Sequence, residues 1–201
     1  MGKVIGFSLF SIALAVGVIC WVAGTAGRTA DHERTAKPAK VDAGQTPPAA
    51  SEDGLSVYFS PNGGCTEAII REIQNAKTSI YVQAAQFTSA PIAKALVAAH
   101  NRGVDVRVIL DGRKDDSDHS QVDRLVDGGV PAFADEKHHT AHNKVMLIDH
   151  HLLFTGSFNF TKESESENAE NLLRIDNKPN LFEAYEENFK AHLAHSTPYA
   201  K

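Results

Sequence analysis

Apolar positions between Leu55 and His195 follow two periods that take turns along the chain. Leu55–Phe59 alternates with period two, as a half-buried strand does. Pro61-Asn62-Gly63-Gly64 then breaks the chain before Ala68, Ile69, Ile70 and Ile73 mark one face of a helix. The stretch SIYVQAAQF at 79–87 predicts a second strand. Pro91 near the start and Gly103 past the end bracket a helix through Ile92, Leu96 and Val97, and Val104–Leu110 reads as a strong strand. A helix over 121–127, a short run at 130–133, two β segments around 145–155, a strand at 171–175 and a terminal helix from Pro179 to about His195 follow. This βαβ rhythm predicts an α/β fold, a mixed β-sheet flanked by helices. Phe59, Phe87, Phe133 and Phe158 sit within strand patterns and are expected in the core.

The first 54 residues read differently. No charged residue occurs from Val4 to Gly27, Lys3 precedes the run, and Arg28, Asp31 and Glu33 close it. Small residues at Ala23-Gly24-Thr25-Ala26 suit a signal peptide cut near Ala26, while the length also suits a membrane anchor, since about 20 apolar residues span a bilayer. The expectation for 1–27 is therefore export, periplasmic or secreted, with anchoring as the alternative. Residues 28–54 are rich in Ala, Pro and Thr without apolar periodicity and read as a flexible linker, which leaves 55–201 as the folded domain.

Charge and cysteine content narrow the function. Lys+Arg 20 against Asp+Glu 25 gives −5, and the first 54 residues hold five of each sign, so the whole excess belongs to 55–201. A chain that coats duplex DNA by overall basicity is excluded, although a local cationic pocket is not. Cys20 and Cys65 cannot make a multi-bridge scaffold, and no CxxC pair suggests a structural zinc.

The chemistry concentrates between His142 and Asn171. His142-Asn143-Lys144 leads into the apolar run 145–148, so in a strand His142 and Lys144 share a face. Ser157 and Asn159 share a face by the same rule. If the chain turns at His150-His151, residues whose numbers sum to 301 lie opposite, which sets Asn159 across from His142 and Ser157 across from Lys144. Gly156 permits either a bulge or the close approach of a phosphate. An imidazole can attack phosphorus, while an ammonium, an amide and a hydroxyl hold the non-bridging oxygens, so this patch is a phosphodiester site that needs no metal. A carboxylate from the acidic run ending at Glu170 can hold the far nitrogen of His142 and fix its tautomer.

At these residues the chain resembles the phospholipase D superfamily, whose mark is HxK, four residues and D, followed by a GSxN element. His142, Lys144 and Asp149 match the first part; Gly156, Ser157 and Asn159 match the second. Residues 55–195 look like the small, single-motif bacterial nucleases of that family, the EDTA-resistant endonucleases. The resemblance implies a phospholipase D-like domain with one motif per chain. It implies that His142 is the nucleophile of a phosphohistidine intermediate, that Lys144 and Asn159 bind phosphate oxygens, that Ser157 supports the pocket and that Glu170 orients the histidine. Asp149 is implied to be structural. It further implies a homodimer whose site is shared by two subunits, with nucleic acid as substrate and no cofactor. Phospholipid head groups are the alternative substrate, and residues 4–27 are a candidate membrane tether.

Blander readings accompany these. Ser157 can be a satisfied strand hydroxyl and Glu170 a solvated acid. His138, His139, His142, His150 and His151 invite a zinc site, but the segment lacks a cysteine pair and reads as strand rather than a helical HExxH, so no metal ligand is expected among them. His138 and His139 are expected at the entrance or in a solvated loop. Arg113 and Lys114 are candidates for substrate backbone contact, with Asp115, Asp116 and Asp118 beside them favouring a solvated loop. A second cysteine is missing from the domain, so the zinc-binding insert of membrane-anchored mitochondrial relatives is not supported.

Overall fold

The computed structural model describes residues 53–112 and 120–199, so the expectations for 1–27, for nearly all of the linker and for Arg113 and Lys114 lie outside the described residues. Within them the order is β1 (Leu55–Phe59), α1 (Cys65–Asn75), β2 (Ser79–Ala84), α2 (Ala90–Asn101), β3 (Asp105–Asp111), α3 (Val122–Asp127) and β4 (Ala132–Asp135). β5 (Lys144–Ile148), β6 (Leu152–Gly156), α4 (Lys162–Ser166), β7 (Asn171–Asp176), α5 (Pro179–Leu193) and β8 (Thr197–Pro198) complete it.

The strands form a single mixed sheet in the order β1-β7-β6-β5-β2-β3-β4-β8. β2, β3 and β4 run parallel, as βαβ crossovers require, and every other neighbouring pair is antiparallel. One face packs on α1, α2 and α3 through residues such as Ile69, Leu96, Leu125, Val82, Val108, Met146 and Phe154. The other face packs on α5 through Ile109, Val145, Leu147, Leu153, Phe182 and Phe189. Strands buried on both faces explain why β5 is apolar throughout rather than alternating.

Helix starts follow local chemistry. Ser89 caps α2, with Pro91 in its first turn. α1 takes its cap from far along the chain: the Glu165 carboxylate accepts the N–H of Gly64 (3.1 Å) and of Thr66 (2.7 Å). Cys65 is buried beside it, and burial, with Glu165 and Glu67 nearby, pushes its thiol up to about 12, which makes it a core residue rather than a reactive one.

Several sequence expectations need correction. The second strand stops at Ala84, and Phe87 instead makes an isolated parallel bridge with Phe160. Phe59 is not core: it is 61% exposed, because β1 is the sheet's edge strand and its odd positions face solvent. The β5–β6 register also differs by one. Val145 pairs with Thr155 and Ile148 with Leu152, so paired numbers sum to 300 rather than 301. The turn uses Asp149, His150 and His151, with Asp149 (φ 51) and His150 (φ 61) left-handed, and the extra loop residue shifts the ladder.

Candidate active site

β5 lies between β6 and β2; its first residue, Lys144, ends the β2 ladder opposite Ala84, and the β6 ladder ends one residue further in, at Val145 with Thr155. Ala85 N–H donates to the Asn143 carbonyl (2.9 Å), which extends the β2 pairing just past the strand and fixes the backbone from which His142 and Lys144 project. Their shared face is real. The Lys144 ammonium donates to the His142 carbonyl (2.9 Å) and stands 3.2 Å from His142 Nδ1. His142 is exposed, whereas Lys144 is only 8% exposed, its stem covered by the sheet. An ammonium can only donate, so its contact leaves the proton of a neutral His142 on Nε2.

Continued one step past its last pair, Val145 with Thr155, the register of 300 brings Gly156, not Ser157, level with Lys144. Gly156 has φ 149, and a Cβ on it would stand 2.3 Å from the Asn171 carbonyl oxygen, so glycine is required by the close approach of β7. Immediately after it, the N–H groups of Ser157 and Phe158 both donate to that same carbonyl (3.2 Å each). Two residues against one is a β-bulge.

Ser157 is thereby committed to β7: its Oγ accepts the N–H of Asn171 (3.1 Å) and its Nδ2 (3.3 Å), leaving its own O–H to offer. Asn159, half-buried, carries a side-chain oxygen that is enclosed without a hydrogen-bond partner. Turning the amide would present an NH₂ donor from the same position. Glu170 precedes β7; its carboxylate accepts from Asn168 Nδ2 (3.3 Å), and its N–H donates to Ser60 Oγ (3.0 Å). The structure thus joins His142 with Lys144 and Ser157 with Asn171, and places Glu170 with Ser60 and Asn168. Asn171 and Ser60 escaped sequence reasoning, since neither belongs to a local pattern.

Asp149 sits at the other end of β5, five residues from Lys144, or about 17 Å at strand rise. Its Oδ2 accepts the N–H of Lys77 (2.8 Å), and its Oδ1 accepts the N–H of Thr78 (2.7 Å), the N–H of Ser79 (3.1 Å) and the Thr78 hydroxyl (2.9 Å). Partial burial alone would raise its pKa, but these donors outweigh it and hold the carboxyl below the usual carboxylate range. The motif's aspartate therefore ties the hairpin turn to the start of β2.

An ammonium beside an imidazole at an open strand end can hold an anionic phosphoester while a histidine nitrogen reacts with it. The comparisons agree with that chemistry. The family model described as cardiolipin synthase, PLD-like domain, matches residues 69–193, more than half of the chain. A phospholipase D of Rickettsia prowazekii (strain Madrid E) is 37% identical over 139 residues, covering 69% of this chain and 67% of that protein. The phospholipase D family member Nuc from Salmonella typhimurium superposes with TM-score 0.70 at 36% identity, covering 73% of this chain and 98% of Nuc. NucT from Helicobacter pylori shares the fold, with TM-score 0.66 at 22% identity over 72% of this chain and 98% of its own. A mixed sheet between helices, an HxK pair opening its central antiparallel strand and matches of this extent lead to one assignment: the chain belongs to the phospholipase D superfamily and is a phosphodiester hydrolase.

Proposed function

We propose that the protein is a metal-independent endonuclease of low sequence preference, acting through a phosphohistidine at a site shared by two subunits. The observation that carries the reading is the Lys144 ammonium held 3.2 Å from His142 Nδ1, which supplies at the reacting centre the positive charge a catalytic cation would otherwise bring. In one subunit His142 attacks phosphorus, and Lys144 and Asn159 hold the non-bridging oxygens. The leaving oxygen takes a proton from His142 of the second subunit, whose imidazole then activates the water that releases the product. The acid form is the imidazolium, and loss of its Nε2 proton leaves the neutral imidazole that takes a proton from the attacking water. The nucleophile is the neutral ring with a free Nε2 lone pair and its proton on Nδ1, where a carboxylate must accept it in a hydrogen bond, and Glu170 is the acid assigned to that task. Ser157, through Asn171, keeps the bulge in shape.

Size supports nucleic acid over lipid. Among the described residues the exposed apolar groove is lined by Leu55, Ile175, Pro179 and Leu181, at the far end of β7 from Asn171, so it opens away from His142. Phospholipid hydrolysis is the second reading, favoured by the name of the Rickettsia relative. The uncharged run 4–27 supports export, and no described helix is long and apolar enough to cross a membrane.

The test incubates the purified chain with plasmid DNA, RNA and phosphatidylcholine vesicles, each in millimolar EDTA. Nicking of DNA or RNA without choline release is expected. Choline release alone would transfer the assignment to phospholipase D. Hydrolysis lost in EDTA by protein that circular dichroism shows folded, and restored by magnesium, would overturn the metal-independent mechanism.

A further inference from the structure

Asp135 ends β4 with its carboxylate fully buried, and three imidazoles converge on it from two parts of the chain. His138 follows three residues later, His192 lies in the last turn of α5, and His195 comes just after that helix. The meeting is built by the fold: beyond α5 the chain pairs as β8 against β4, Ala134 with Thr197, which lays His195 beside Asp135. From Asp135 Oδ2 the distances are 2.9 Å to His138 Nδ1, 2.8 Å to His192 Nδ1 and 3.3 Å to His195 Nε2. One donor atom from each of the four residues lies within 4.8 Å of the others.

We infer that Asp135, His138, His192 and His195 form a tetrahedral site for a zinc-class divalent cation that ties the C-terminal end of α5 to the sheet. Hydrogen bonds inside the group reach His138 and His192 but leave His195 out. Oδ1 takes the N–H groups of Lys137 (3.1 Å) and His138 (3.4 Å) and shares His138 Nδ1 (3.1 Å) with Oδ2, on which His192 and His195 also converge. His195 Nε2 is buried 3.3 Å from Asp135 Oδ2, without hydrogen-bond geometry to any partner among the described residues. Three imidazoles and one carboxylate are a borderline-soft donor set that selects zinc or cobalt over magnesium or calcium. Ligands about 2.0–2.1 Å from a tetrahedral ion stand roughly 3.4 Å apart, close to the present spacing from Oδ2.

Charge fits as well. The Asp135 side chain has no exposed surface and three ring nitrogens around it, so it offers a carboxylate oxygen to a cation there. With all four positions filled by protein, the ion would be structural. In the strand order β5-β2-β3-β4 it sits three strand spacings, about 14 Å, from the strand of Lys144. The spacing D-x₂-H with H-x₂-H, at 135/138 and 192/195, is its sequence trace.

The test uses the full chain, purified without a histidine tag, stripped with chelator and titrated with zinc or cobalt. One equivalent per chain, the strong visible bands of tetrahedral cobalt(II) and a raised melting temperature are expected. His138→Ala, chosen because its side chain is 43% exposed and its loss leaves the core intact, and His192→Ala should each weaken binding by at least the roughly 10–100-fold that loss of even an outer partner costs. Exposed His139→Ala should not. If circular dichroism shows His192→Ala unfolded, His138→Ala and His195→Gln decide. Substoichiometric binding by folded wild type, or unchanged binding in His138→Ala, would overturn the site.

Discussion

Replacing Asp149 by alanine removes four accepted hydrogen bonds at once, three of them from consecutive backbone N–H groups at Lys77, Thr78 and Ser79. Water can reach these donors once the carboxylate is gone, so each bond is worth about 0.5–1 kcal/mol rather than the larger value of a buried charged pair. Alanine also tolerates the left-handed φ of 51 less well than aspartate, at a cost of roughly 1 kcal/mol. The expected loss is about 3–5 kcal/mol, a fall in melting temperature of roughly 6–20 °C for a domain of this size. Thermal and urea unfolding followed by circular dichroism measure it. The sign of the pH dependence follows from the lowered pKa: the stabilisation is complete above the unfolded value near pH 4 and vanishes as pH falls through the folded value, so the gap to wild type narrows in acid. Asp149→Asn, which keeps the left-handed preference and part of the acceptor set, should lose about half as much. Turnover per folded molecule should be unchanged, since Lys144 lies about 17 Å away. A melting temperature within about 2 °C of wild type, or full stability with lost turnover, would refute the structural assignment.

His142→Ala should lower activity by about four orders of magnitude with stability within about 0.5 kcal/mol, because the ring is exposed and contributes little burial; unfolding curves run beside a nicking assay test both halves. If two histidines serve one site, wild type diluted to a quarter with His142→Ala under verified subunit exchange should retain about one-sixteenth of its activity, and one-quarter would mean each chain is complete. Gly156→Ala forces a Cβ to 2.3 Å from the Asn171 carbonyl oxygen; a loss of about 1–3 kcal/mol together with reduced turnover is expected, and a neutral result by urea unfolding would show that the bulge relaxes freely.

What the sequence determined by itself is local. Period-two and helical spacing placed the main strands and helices within a residue or two at most ends, since backbone geometry alone dictates which neighbours share a face. The same rule put His142 and Lys144 together, and the Lys144–His142 contact follows from it. The five-residue α4 and the two-residue β8 stayed hidden because so few residues establish no period. Everything joining distant segments belonged to the tertiary structure. No local spacing shows that β5 lies between β6 and β2, that Phe59 sits on an uncovered edge, or that Asn171 accepts two consecutive N–H groups and turns Gly156-Ser157 into a bulge. The hairpin register hinged on two left-handed residues, Asp149 and His150, the first held by donors 70–72 positions away. Asp135 and His192, 57 residues apart, meet because α5 packs against the sheet beside β4. Chain periodicity is set by each residue's immediate neighbours, but strand order and side-chain clusters are set by which apolar faces must be covered together, a condition that only the whole chain satisfies.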